Sequence, residues 1–225
     1  AAGDRVKVVD MQMGVDTDRF QPISLEERAE TRKSLAIPED APVCLFIGAI
    51  SRRKGVDLLI EAWPLVKAQM DRAVLILLGP TSWLASTEEQ AAFGREVKSV
   101  ADDPSLGIRM TETRDVAQYL QASDLFTLPS RQEGLPNAVL EALAAGLPLV
   151  FTRSEWITSD FIEDGVNGLL VEEENPSALS EAILGVFQDR DSRESLGRAS
   201  REIALTRYSM DVKAKHYLDL YRSFA

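Results

Sequence analysis

Short apolar runs that end in glycine or proline alternate with amphipathic segments along most of this chain. The runs over 43–48 and 73–80 are continuous and rich in valine, leucine and isoleucine, as strands buried on both faces of a sheet are. Further strands are predicted over 107–112, 124–128, 147–151 and 169–171. Since helical segments separate these runs, the pattern predicts an α/β fold, a Rossmann-like doubly wound parallel sheet of about six strands.

Helix signals occupy the segments between the strands. Pro64 predicts a kink or an irregular turn within a helix over 55–70. Pro136 is expected near the first position of a later helix, where its missing N–H costs little. The remaining helices are predicted over 24–35, 86–101, 116–122 and 137–145, and from about 176, 191 and 209 onwards.

The length of 225 residues is large for one compact domain and small for two. We predict a leading segment over 1–22 that contains the strand-like sequence VKVV. A single Rossmann-like domain is predicted over 23–207, followed by a C-terminal helix over 208–225. One domain with a leading and a trailing segment fits this length better than two domains.

Composition excludes several functional classes. With 25 Lys and Arg against 36 Asp and Glu, the net charge is −11, which disfavours a general nucleic-acid binder. The single cysteine, Cys44, excludes an internal disulfide framework, and one cysteine with one histidine, His216, argues against a zinc site. No apolar run is long enough for a membrane helix, and no signal-peptide pattern opens the chain. We therefore expect a cytoplasmic protein without a transmembrane segment.

Two polar loops follow predicted strands directly. The first contains Arg52, Arg53 and Lys54, the one run of three adjacent basic residues; taken alone, such a run is most often a solvated loop. The second covers 130–136 and leads into a helix. In an open parallel sheet, ligands bind outside the carboxyl ends of the strands. Arg53 and Lys54 are thus expected to meet the helix N-terminus at 134–137, which predicts a phosphate or diphosphate site.

Two carboxylates flank this predicted anion site. Glu133 immediately precedes the helix, and Glu141 lies within its apolar stretch. A buried carboxylate requires hydrogen-bond donors, and the vicinal hydroxyls of a ribose or a hexose are such donors. An exposed helix position without any ligand is an equal interpretation of Glu141. Together with a diphosphate, the two acceptors suggest a nucleotide-sugar.

These segments resemble those of a known family. The sequence from Ser130 to Val150 resembles the signature of the retaining glycosyltransferases of family four, including two glutamates separated by seven residues. The sequence from Gly48 to Ala62 is similar to the phosphate-binding segment of that family. Two further matches are MGVD with Phe20 and Pro22, and the sequence DGVNGLLV at 164–171. The resemblance extends over nearly the whole chain.

The resemblance implies a GT-B glycosyltransferase, of which this chain is the C-terminal, donor-binding domain, without the N-terminal acceptor domain. It implies that the enzyme transfers a hexose-type sugar, with retention of configuration, from a nucleoside-diphosphate-sugar to an unidentified acceptor. It further implies that the transfer needs no metal ion and that this domain alone has little activity. Whether the missing domain contacts a membrane peripherally is left open. The residues implied in catalysis are Glu133, Lys54 and Arg53. Those implied in donor binding are Gly48, Arg53, Lys54, Glu133, Gly134, Leu135, Pro136, Asn137 and Glu141.

The chain departs from the family pattern at two positions. Ala49 stands where an arginine is common, and we expect Arg53 to supply the missing guanidinium, with Arg52 as the alternative. Met13 replaces a usual asparagine, a change expected to affect the hinge region more than the chemistry. Two other functions are left open: an isomerase of the sugar-nucleotide 2-epimerase kind, and a non-catalytic nucleotide-sugar-binding module. The base and the sugar of the donor are not determined by these residues.

Overall fold

Six parallel strands form one sheet in the order β3-β2-β1-β4-β5-β6 in the computed structural model of the chain, which describes residues 13–80, 87–113, 115–133, 136–154 and 161–223. The strands are β1 (Val43–Ile47), β2 (Val74–Leu78), β3 (Ile108–Thr111), β4 (Leu125–Leu128), β5 (Leu149–Thr152) and β6 (Gly168–Val171). This is the strand order of a dinucleotide-binding Rossmann fold. The predicted fold class and all six predicted strands are confirmed, whereas VKVV lies outside the described residues.

Helices cover both faces of the sheet. They are α1 (Leu25–Ser34), α2 (Val56–Gln69), α3 (Glu88–Ala101), α4 (Ala117–Ala122), α5 (Asn137–Ala144), α6 (Pro176–Gln188), α7 (Arg190–Ile203) and α8 (Met210–Arg222). Helix α2 continues through Pro64, so the irregular turn predicted there is absent. Pro136 is the N-cap of α5 rather than its first helical residue, because its ψ of 124° is extended.

The core consists of the central strands and the helix faces that pack on them. Strands β1, β2, β4 and β5 are buried along nearly their whole length. Cys44, in β1, is fully buried, and burial raises the pKa of its thiol well above the ordinary value. Trp63 is also buried, and its indole N–H donates to the carbonyl of Leu106 at 2.7 Å. Both residues therefore belong to the core and not to a surface site.

A buried ion-pair cluster fastens α1 to the amino-terminal edge of the sheet. The side chain of Asp124 accepts from Arg28 at 2.6 Å, from Arg32 at 2.8 Å and from the backbone N–H of Val43 at 2.8 Å. Arg32 is only 3% exposed and also donates to the carbonyl oxygens of residues 39, 41 and 122. One carboxylate thus joins α1, β1 and β4.

The leading segment packs against the C-terminal helices. The N–H of Val15 donates to the carbonyl of Tyr208 at 2.7 Å, and the N–H of Met210 donates to the carbonyl of Val15 at 3.2 Å. The guanidinium of Arg201, in α7, donates to the carbonyl oxygens of Thr17, Phe20 and Ala144. Residues 15–20 are therefore held against α5, α7 and the start of α8.

Candidate functional site

The two polar loops lie side by side at the carboxyl-terminal edge of the sheet. They follow β1 and β4, which are neighbours although β2 and β3 come between them in sequence, with Cys44 opposite Leu125. This is the point at which the strand order reverses, where open α/β sheets bind ligands. The N–H of Arg131, in the second loop, donates to the carbonyl of Arg53, in the first, at 3.0 Å. The sequence-based prediction that these loops meet is confirmed.

Gly55 allows the close contact between these loops. Residues Arg52–Lys54 form a short 3-10 turn that ends at Gly55, whose φ of 70° is in the left-handed region. A Cβ atom at Gly55 would lie 1.8 Å from the carbonyl oxygen of Pro129, a separation that no side chain tolerates. The basic turn is consequently placed directly beside the end of β4.

Lys54 and Glu133 form an ion pair between the loops. The Nζ of Lys54 contacts Oε1 of Glu133, and the hydroxyl of Ser130 donates to the same oxygen at 2.6 Å. The side chains of Lys54 and Glu133 are only 14% and 6% exposed, and Ser130 is fully buried. A cation and a carboxylate with little access to water thus face each other at the ligand-binding edge.

The two candidate arginines beside Lys54 point to different elements. Arg53 donates to the carbonyl of Gln132 at 3.0 Å, in the loop that carries Glu133. Arg52 turns toward α3, where it pairs with Glu96 at 3.1 Å and lies 4.6 Å from the ring centroid of Phe93. Of the two, Arg53 extends the positive charge along the second loop.

Two other predicted binding residues, Gly48 and Asn137, lie directly after β1 and at the start of α5. The N–H of Gly48, directly after β1, donates to the carbonyl of Leu78 at 2.9 Å. Asn137 is the exposed first residue of α5, and the first-turn amides of a helix have no acceptor within it. Gly134 and Leu135, which were predicted to add amides to this site, lie outside the described residues.

Glu141 lies in α5, one turn after Asn137, and its side chain is half-buried. Burial raises the pKa of its carboxyl above the ordinary value, and the positive charge of Arg19 opposes this shift. No hydrogen bond to the Glu141 carboxylate is found within the described part of the chain. Of the two interpretations given above, the fully exposed one is wrong.

The single histidine, His216, is exposed on α8 and is not among the residues proposed for this site. Trp83 and Trp156 lie outside the described residues. Within the described ranges, no three His, Cys, Asp or Glu side chains are grouped as a metal site would require, and no helix has the length and apolar character to span a membrane.

Sequence reasoning missed the residue that joins the loops most extensively. The guanidinium of Arg131 forms paired hydrogen bonds with Asp57 and with Glu174. Its partners are 74 and 43 residues away in sequence, so no local pattern could reveal them. The hydrogen bond from Ser130 to Glu133, by contrast, spans three residues and is typical of local side-chain pairing in turns.

Comparisons with known proteins agree with this geometry. A family model for the group 1 glycosyl transferases matches residues 41–189. The chain is 28% identical to a D-inositol 3-phosphate glycosyltransferase of Corynebacterium urealyticum, over 97% of this chain and 52% of that protein. The chain spans about half the length of the curated relatives it matches.

Two solved structures share the fold. HepE of Anabaena, in complex with UDP, superposes with a TM-score of 0.80 at 20% identity, over 93% of this chain and 56% of that one. The C-terminal domain of the group 1 protein LpcC from Francisella tularensis gives a TM-score of 0.73 at 21% identity, over 88% of this chain and 100% of that one. The described sheet therefore corresponds to the C-terminal half of a GT-B fold.

Proposed function

This chain belongs to the group 1 glycosyltransferases, and we propose that it is the donor-binding half of a retaining enzyme that transfers a hexose-type sugar from a nucleoside-diphosphate-sugar. The observation that carries the proposal is the approach of Lys54 to Glu133 at the switch point of the sheet. One residue provides a cation for a diphosphate, and the other an acceptor for a sugar. That HepE, which shares this fold, has been solved with UDP supports a nucleotide ligand for this chain.

The proposed roles follow from the position of each charge. Lys54 and Arg53 bind the diphosphate and stabilise the negative charge that develops on the departing nucleotide, a contribution that is often the largest in catalysis. The backbone N–H groups at the start of α5, from Asn137 onwards, add donors of fixed direction. Because two cations and these amides already offset the diphosphate charge, we propose that transfer requires no metal ion.

In this proposal, the two glutamates accept hydrogen bonds from hydroxyl groups of the donor. Glu133, beside Lys54, contacts the donor sugar near the bond that breaks. Glu141, half-buried and without a hydrogen-bond donor in the described part of the chain, accepts from the ribose hydroxyls, which would offset the cost of its burial. Acceptor binding is assigned to an N-terminal domain, so this chain alone is expected to bind the donor and to transfer little sugar.

Calorimetric titration with UDP, GDP and ADP tests the proposal. We expect at least one of them to bind, with the same affinity in EDTA. Lys54→Ala should weaken that binding by roughly 30-fold, since a hydrogen bond to a charged group contributes about 2 kcal/mol. Lys33→Ala, which removes an exposed lysine from α1, is the matched control and should leave the affinity unchanged. Absence of binding up to millimolar concentrations of all three nucleotides would contradict the proposal.

The pH dependence of stability tests the environment of Glu141. Because burial raises its pKa in the folded protein, the folded state is favoured most below the ordinary carboxyl pKa of about 4.3, and this advantage is lost as the pH rises through the raised value. We therefore expect Glu141→Gln to become more stable relative to the wild type as the pH rises from about 4 to neutrality. Denaturant unfolding at several pH values measures this difference.

The same variant has a second expected effect in the presence of nucleotide. A saturating nucleoside diphosphate should stabilise the wild type more than Glu141→Gln, since the carboxylate then has ribose donors. Glu61→Gln, on the exposed side of α2, is the control for loss of one helix carboxylate. A Glu141→Gln variant that is less stable than the wild type at neutral pH without nucleotide would refute the assigned environment.

A further inference from the structure

Arg131 connects three loops at the carboxyl-terminal edge of the sheet. Within its own loop it lies two residues before Glu133. Its guanidinium donates to both carboxylate oxygens of Asp57, at 2.8 and 3.0 Å, and to both of Glu174, at 2.5 and 2.7 Å. A third contact joins its NH1 to the carbonyl of Arg52. The whole planar fork of the side chain is therefore engaged.

The contacts of Arg131 bracket Lys54. Arg131 binds the carbonyl of Arg52 on one side of Lys54 and the carboxylate of Asp57 on the other, and its backbone N–H binds the carbonyl of Arg53. The turn that carries Lys54 is thus held at both ends by one residue. Since that residue also belongs to the loop of Glu133, it links the two segments that carry the members of the ion pair.

The two partners of Arg131 differ in exposure: the side chain of Asp57 is 12% exposed, whereas that of Glu174 is 57% exposed. Asp57 lies in the first turn of α2 and is nearly buried, and its other cationic partner, Arg52, is 3.5 Å away, so loss of Arg131 would leave a poorly hydrated carboxylate with one longer ion pair. Glu174 has a φ of 51°, a left-handed conformation that costs a non-glycine residue energy. The hydrogen bonds that Arg131 donates to Glu174, and then those that it donates to Asp57, raise the pKa of Arg131 above its already high ordinary value. The cluster is consequently a fixed, charged support.

We infer that Arg131 is a positioning residue: it orders the turn 52–57 so that Lys54 is directed at the donor diphosphate, without touching the ligand itself. This inference rests on the proposed function for the identity of the ligand. The planar fork is essential to it, because a lysine at the same position carries the charge but cannot bind two carboxylates bidentately.

Nucleotide affinity in a double-mutant cycle tests whether Arg131 acts through Lys54. Arg131→Lys should weaken binding of the nucleoside diphosphate by about tenfold, as changes in supporting residues of a site often do, and should leave binding of the unphosphorylated nucleoside unchanged. In the Lys54→Ala background, Arg131→Lys should weaken nucleotide binding by less than about a further twofold, because its effect depends on Lys54. Additive losses, or wild-type affinity in Arg131→Lys, would overturn the inference.

Amide hydrogen exchange of the free protein provides a second measurement that needs no nucleotide. In Arg131→Lys we expect faster exchange in residues 52–57 and unchanged exchange in β1 and β4. Arg72→Lys, which alters an exposed pair with Asp40, is the matched control and should change neither. Unchanged exchange at 52–57 would overturn the inference even if affinity fell. If the wild type binds no nucleoside diphosphate, the proposed function fails, while exchange still decides whether Arg131 orders the turn.

Discussion

Gly55→Ala is expected to lower the free energy of unfolding by at least about 3 kcal/mol and to abolish nucleotide binding. An alanine at a φ of 70° costs about 1–2 kcal/mol in backbone strain alone. Its Cβ would also lie 1.8 Å from the carbonyl oxygen of Pro129, so the two loops must separate. Because that separation moves Lys54 away from Glu133, stability and binding should fall together. Denaturant unfolding and calorimetric titration measure the two effects.

Two other glycines serve as controls that separate the cost of backbone strain from the cost of a steric clash. Gly165 also has a positive φ, of 77°, but a Cβ there meets nothing within 4 Å, so Gly165→Ala should cost only the backbone term of about 1–2 kcal/mol. Gly185 lies in α6 with open space around it, and Gly185→Ala should stabilise the protein by about 0.5–1 kcal/mol. Neither variant should alter nucleotide affinity. A Gly55→Ala protein no less stable than Gly165→Ala would show that the loops do not touch as described.

Asp124→Ala is expected to destabilise the protein by about 3–5 kcal/mol, since it leaves a buried cation without its counter-ion. Arg32 is nearly inaccessible, and burial already lowers the pKa of its guanidinium, an effect that Asp124 opposes. The substitution also removes the acceptor for Arg28 and for the N–H of Val43. The effect should appear as a lower denaturant midpoint and a lower Tm.

The exposed pair of Asp40 and Arg72 is the control for this prediction. Both side chains are more than half exposed, and ion pairs in that setting contribute at most about 1 kcal/mol. Asp40→Ala should therefore leave the denaturant midpoint nearly unchanged. The double variant Arg32→Met with Asp124→Ala should recover part of the stability that Asp124→Ala loses, because no unpaired charge then remains buried. Equal losses in the single and double variants would contradict this account.

The sheet was predictable because its signals are local. The runs that form β1 and β2 are continuously apolar and end at Gly48 and Gly79. Strands that are buried on both faces of a sheet require such an apolar composition. Of the kink or irregular turn predicted at Pro64, the turn is absent, since a proline on the exposed side of α2 is accommodated within the helix. The packing of α2 in the core stabilises the helix enough to outweigh a poor local propensity.

The site was predictable only in its location. A general rule for parallel sheets placed Lys54 and Glu133 at one edge, and the structure brings them into contact. The sequence favoured Arg53 over Arg52 without showing where either side chain points, because that direction depends on the turn that Gly55 fixes against Pro129. The support from Arg131 was invisible for a similar reason: charged residues far apart in sequence carry no mark of their partners.

The contact between Lys54 and Glu133 makes the carboxylate a tethered competitor for any anion that enters the site. An anion that takes the place of Glu133 on Lys54 must displace a group held beside it at a high effective concentration. A small monoanion gains only one contact in exchange for the one it breaks. A diphosphate gains further donors from neighbouring residues, and the displaced Glu133 keeps its hydrogen bond from Ser130. If the proposed function holds, the site would thereby favour a diphosphate over small monoanions.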